Sequence, residues 1–142
     1  MLFDREAMMR AKLDHVGIAV RNLEDAIRWY GRFGLRPSRD VSVEGLRIAF
    51  LPAGQSQLEL LEPTGPDTVV GKFIERRGEG LHHLCFEVSD LAAALAELSR
   101  EGVELVDRSP RAGVDGKVAF IHPRSCGGVL IELVEKPSGT GS

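Results

Sequence analysis

Apolar positions along this chain change their spacing in a set order, and that order occurs twice. From Leu13 to Val20 they alternate with polar or small residues, the period of a half-buried strand. Asn22 suits a helix N-cap. After it Leu23, Ala26, Ile27 and Tyr30 share one helical face, and Gly34 closes the segment. Trp29 and Tyr30 are expected to pack from this helix. Strands over 46–51 and 57–62 follow, joined by a turn at Pro52–Gly54. The second half repeats the plan, with a strand around His83 and Asp90 as the N-cap. Leu91, Leu95 and Leu98 then form the helix face, Gly102 is the stop, and a turn falls at Pro123–Gly128. The Thr64–Gly80 segment between the halves is expected to carry a short helix near Val69–Arg76.

The repetition extends to individual residues. Residues 13–37 lie over 81–105 without a gap, at an offset of 68 that sets His15 on His83, Leu23 on Leu91 and Gly34 on Gly102. GLRIAFLP at Gly45–Pro52 echoes GKVAFIHP at Gly116–Pro123, and QLELLE at Gln57–Glu62 echoes LIELVE at Leu130–Glu135, which sets Glu59 on Glu132. The expected fold is therefore α+β. Two tandem βαβββ modules, about 12–63 and 80–135 with a linker at 64–79, form one domain over 11–135. An N-terminal extension (1–10) precedes it, and a flexible Gly/Ser-rich tail (136–142) follows.

Composition narrows the class. With 142 residues, 43% hydrophobic and 27% charged, the chain reads as one soluble globular domain that needs no disulfide to hold together. A net charge of −3 argues against nucleic acid or an anionic membrane as the main partner. No apolar run approaches the roughly 20 residues of a membrane span, and Met1–Arg10 lacks the apolar core of a signal peptide. Cys85 and Cys126 are expected as free thiols in a cytoplasmic protein.

The repeat also aligns polar residues. His15 with His83, and Glu59 with Glu132, are two symmetric pairs in otherwise apolar strands, where an unpaired charge is costly. Like modules packed about a pseudo-twofold axis would bring the pairs face to face. A single strand histidine is most simply core or surface. Two symmetric His/Glu pairs instead fit a divalent ion, and their mixed nitrogen and oxygen donors suit Co, Ni, Zn, Mn or Fe better than Ca or Mg. By alternation Cys85 shares the face of His83, as a small buried hydrophobe, while His82 takes the opposite face. His122 falls at the turn before Pro123.

These residues resemble a known group. LDHVGIAVRNLEDAIRWY, the duplicated βαβββ plan and the His/Glu/His/Glu set resemble the vicinal oxygen chelate superfamily, which includes glyoxalase I and extradiol dioxygenases. ELLEPTGPD, GEGLHHLCFEV and HPRSCGGVLIELV are most similar to the methylmalonyl-CoA epimerases, and the likeness spans about residues 12–135. It implies a curved mixed sheet around a metal-containing cleft, with His15, Glu59, His83 and Glu132 as ligands and cobalt ahead of zinc, nickel and manganese. It further implies an acyl-CoA substrate, a place in propionate metabolism and a homodimer. The implied reaction is 2R/2S interconversion of methylmalonyl-CoA by proton transfer through a metal-stabilised enolate, with Glu132 and Glu59 as proton carriers. Some epimerases carry a further catalytic glutamate three residues after the glycine opening the third strand. Counted from Gly45 this is Ile48, beside Arg47, and neither is a carboxylate. Glu59, a relayed water or Glu44 are left for the second carrier. Lys72, Arg76, Arg77 and Arg124 are candidate cations for CoA phosphates, each more simply a solvated surface charge. A glyoxalase I-type lyase, another metal-dependent isomerase of the superfamily, and a metal-free binding module are the alternatives; an extradiol dioxygenase ranks lower.

Overall fold

The computed structural model describes residues 9–138. The expected N-terminal extension lies outside the described residues up to residue 8, and the expected tail from residue 139. The chain divides into two compact units. One runs from His15 to His83; the other joins the segment up to Asp14 to everything from Leu84 onward.

In the first unit, strand β1 (Lys12–Ala19) leads into helix α1 (Leu23–Gly31), then β2 (Arg39–Val43), β3 (Leu46–Ala53) and β4 (Ser56–Pro63). The strand order is β2-β3-β4-β1. The two hairpins are antiparallel, whereas β1 pairs in parallel with β4, from His15 opposite Gln57 to Ala19 opposite Leu61. Leu23 of α1 packs with Ile18, Val20, Ala49, Leu51 and Leu60, while Ala26, Ile27 and Tyr30 join from the same face. Trp29 does not pack as expected: it is 50% exposed. At 100° per residue it falls off the stripe that Leu23, Ala26, Ile27 and Tyr30 define. Helix α2 (Val69–Arg77) occupies the expected linker segment. Thr68 caps it, and it buries Val70 and Ile74 against Ala19, Ile48, Phe50 and Leu61 on the other side of the sheet.

The second unit contains β5 (Gly80–Glu87, from Leu84 onward), α3 (Leu91–Arg100), β6 (Arg111–Ala112), β7 (Lys117–Ile121) and β8 (Ile131–Glu135), with strand order β5-β8-β7-β6. Leu84–Glu87 runs parallel to Ile131–Val134, and β7 is antiparallel to β8. Leu91, Ala94 and Leu95 of α3 pack on Val88, Ala119, Ile121 and Leu133. The strand β6 is short because Asp107 takes part of its place: the Asp107 carboxylate accepts from the Phe120 amide at 2.8 Å. Gly116 and Pro110 also interrupt the segment. The expected α+β class and mixed pairing are found in both units.

Each unit closes on itself through the same device. The final strand ends in a glutamate that accepts the first free amide of that unit's own helix. Glu62 takes the Leu23 amide at 2.9 Å, and Glu135 takes the Leu91 amide at 2.8 Å. The N-caps act as read from the sequence, Asn22 accepting from the Asp25 amide and Asp90 from the Ala93 amide, each at 3.0 Å. Two of the four orphan donors at each helix start are thus satisfied, and both carboxylates lie at the positive end of the helix dipole.

On the outer side, Arg47 of β3 hydrogen-bonds Asp40 and Glu24 together. This guanidinium holds the Asp40 carboxyl below its ordinary value of 3.8.

Two outcomes follow from these contacts. Glu62→Ala and Glu135→Ala each cost about 1–2 kcal/mol in urea unfolding, the worth of a charge-assisted hydrogen bond, whereas Glu→Gln retains part of it. Arg47→Met removes a stabilisation that depends on ionised Asp40. Because the folded value lies below the unfolded one, the gap between parent and variant is full above pH 3.8 and closes as pH falls through the lowered value. Paired urea titrations at neutral and acid pH check the sign.

Candidate metal centre

Among the described residues, the buried polar or charged side chains are His15, Glu59 and His83 at 6%, 7% and 7% exposure. All three belong to the first unit, and they meet. His15 comes from β1. Glu59 stands on the adjacent β4 opposite Gly17, between Leu58 and Leu60, so strand alternation turns it away from those leucines. His83 comes from β5. Its imidazole lies over Gly17, where a Cβ would come within 2.3 Å of the ring. A residue without a side chain at position 17 leaves this ring its place.

The contacts have a direction. Glu59 Oε2 lies 2.9 Å from His15 Nδ1, and His15 Nε2 lies 3.1 Å from His83 Nε2. The two rings stand at 87°, edge to face. Glu59 therefore accepts the Nδ1 proton of His15, and the neutral imidazole then directs its Nε2 lone pair at the other ring. Two nitrogens bound to one ion at about 2.0–2.1 Å stand roughly 2.8–3.4 Å apart for angles between octahedral and tetrahedral. The pair fits a borderline divalent ion in both donor type and spacing, with a carboxylate already orienting one ligand. Glu132 belongs to the second unit. It is half-buried on β8, opposite Phe120 of β7 and Cys85 of β5.

Comparison with known proteins places this geometry. A model of the glyoxalase/bleomycin resistance protein/dioxygenase superfamily matches residues 14–120. The mitochondrial methylmalonyl-CoA epimerase of Dictyostelium discoideum is 39% identical over 130 residues, 88% of this chain and 78% of its own. Methylmalonyl-CoA epimerase from Mycobacterium tuberculosis superposes with a TM-score of 0.84 at 39% identity, over 96% of this chain and 93% of that one. A methylmalonyl-CoA epimerase solved in complex with methylmalonyl-CoA and NH4+ gives 0.82 at 36% identity, over 90% of this chain and 96% of that one. The chain belongs to the methylmalonyl-CoA epimerase family of this superfamily.

As a member of an enzyme family, this epimerase-like chain has a further site feature that alternation hides. Strand alternation sends His82 to the face opposite His83. Instead, His82 Nδ1 lies 2.9 Å from His83 Nδ1, and the His82 ring meets Phe73 of α2 edge-on at 4.8 Å. Nδ1 is bonded to Cγ, close to the main chain, so two successive imidazoles can touch beside the strand although their tips diverge. The His82-His83 doublet itself was the available signal.

Other candidates separate more simply. Ile48 is buried in the core beneath α2, and Arg47 is occupied by Asp40 and Glu24, so no carboxylate stands at that place in β3. Glu44 is exposed at the β2–β3 turn. Cys85 is fully buried with Val118 and Val134, as a small hydrophobe. His122 accepts the Arg124 amide at 3.0 Å and starts the 3-10 turn Pro123–Cys126. Of the cations considered for CoA phosphates, Arg124 is held by Glu104 at 2.8 Å and Arg77 lies against the Phe73 ring. Lys72 and Arg76 are exposed on α2.

The buried carboxylate can be tested through stability. Glu59→Ala strands the His15 Nδ1 proton in an apolar strand pair and costs about 1–3 kcal/mol in urea unfolding of metal-free protein. Glu59→Gln keeps an acceptor oxygen and costs less than half as much.

Proposed function

We propose that this protein interconverts the 2R and 2S forms of methylmalonyl-CoA by moving the proton at C2, with a divalent metal ion held by His15, His83 and Glu132 while Glu59 stands behind His15 at its Nδ1. The observation that carries the reading is the buried pair of imidazoles with facing Nε2 atoms 3.1 Å apart, in a chain whose relatives are named for this reaction. A relative solved with methylmalonyl-CoA supports an acyl-CoA as the substrate. The donor set suits cobalt, zinc, nickel and manganese alike, and the family resemblance puts cobalt first.

When bound, the ion supplies Lewis acidity toward the thioester and carboxylate oxygens of the substrate. Racemising one carbon then requires a proton to leave one face and another to arrive at the opposite face. Glu132 is the proposed carrier on one face and Glu59 on the other. The repeat pairs the two carboxylates, at equivalent places in β4 and β8. His15 orients Glu59 through its Nδ1 contact. His83 lies in the same cluster and excludes water there by its burial.

The deciding experiment follows loss of the C2 proton of methylmalonyl-CoA in deuterated water by NMR. Exchange that stops with a chelator and returns with cobalt is the expected result. Glu132→Gln is expected to retain cobalt and lose exchange about 10²-fold or more; full turnover in that variant removes Glu132 from the role. A protein that holds metal yet exchanges no faster than the chelated control overturns the epimerase reading.

A further inference from the structure

The two facing imidazoles need the same thing, an acceptor at Nδ1 that leaves the Nε2 lone pair directed inward. For His15 that acceptor is Glu59. For His83 the group at the same place is the Nδ1 of His82, 2.9 Å away. We infer that His82 is a positioning residue for the metal centre, taking the Nδ1 proton of His83 as Glu59 takes that of His15. The inference rests on the metal reading proposed above.

One proton arrangement leaves both imidazoles ready to hold an ion. His15 carries its proton on Nδ1 and donates to Glu59. His83 carries its proton on Nδ1 and donates to the Nδ1 lone pair of His82, whose own proton is then on Nε2. Both Nε2 atoms at the 3.1 Å contact are left as lone pairs. Both are then available to a cation, whereas without one the 3.1 Å contact is closed by a proton on one of the two rings. If His82 presented its proton at Nδ1 instead, His83 would be driven to the other tautomer, with a hydrogen where a metal ligand is needed. His82 thus selects the ligating tautomer of its neighbour, as outer partners of metal-bound histidines generally do.

His82 is itself held in place. Phe73 meets its ring at 72°, an edge-on contact, and the Arg77 guanidinium lies 5.8 Å from the Phe73 ring centre. Val70 and Ile74, on the same helix, anchor α2 to the sheet. The segment between the repeated modules therefore reaches the centre through Phe73 and His82 without supplying a ligand.

Two measurements decide the matter. In cobalt titrations followed by visible absorption, His82→Phe keeps an aromatic ring against Phe73 but has no acceptor, and it is expected to bind 10- to 100-fold more weakly than the parent. His82→Asn, whose side-chain oxygen falls where Nδ1 was, is expected to recover binding to within about 3-fold. Equal cobalt affinity in parent and His82→Phe overturns the role of His82 alone. A parent that binds no cobalt overturns the metal reading, and this inference with it. The second measurement needs no substitution: long-range proton–nitrogen NMR of the zinc-loaded parent is expected to show His83 protonated at Nδ1 and His82 at Nε2. A proton on His82 Nδ1 overturns the proposal.

Discussion

A carboxylate and two imidazoles buried among leucines, valines and isoleucines are tolerable only if each satisfies the next. In this protein Glu59, His15 and His83 form that row, and a group left unsatisfied in it would cost on the order of 1–3 kcal/mol. Much around them conforms to this requirement. β1 must lie beside β4 in the register that sets Gly17 opposite Glu59, because Gly17 is the residue over which the His83 ring fits. A shift of one residue would turn Glu59 toward the leucine face and break the row. The polar cluster therefore ties the strand register to the chemistry.

The rest of each unit is held by apolar packing and by a local electrostatic device. In both units the last strand returns beside the first and ends at a glutamate that meets the start of the unit's own helix. The amide of Leu23 or Leu91 is buried under that helix, out of reach of water, so a carboxylate there serves as cap and dipole partner at once. Repeating this contact in both halves keeps each helix at the same place on its strands while the surrounding loops diverge. The divergence is clearest at β6, where the Asp107 side chain does part of the work that a five-residue strand does at β2.

Where the halves differ, the difference bears on the chemistry. α2 lies across the first unit and brings Phe73 against His82, so this imidazole has a packing partner on one side and a hydrogen-bonding partner on the other. On the solvent side of the same sheet, Arg47 fills the neighbourhood where some relatives are expected to carry a carboxylate, and it is neutralised there by Asp40 and Glu24.

The sequence by itself determined the duplicated plan, the α+β class, both N-caps, both glycine stops and the family. These are set by short-range rules: strand and helix periods, side chains that reach an amide three residues on, and glycines at positive φ such as Gly34 and Gly102. It also marked His15, Glu59 and His83, because charged or polar residues in apolar strands stand out without any knowledge of their partners. Tertiary structure decided the rest. The glutamate caps join residues 39 and 44 positions apart, which no local pattern encodes. The contact of His82 with His83 runs against strand alternation and depends on Phe73 arriving from α2. Trp29 is exposed because the helix stripe has a definite width, which the sheet beneath it sets. Which nitrogen of His15 meets Glu59 is a matter of ring orientation, and orientation is fixed only once three strands have been brought together.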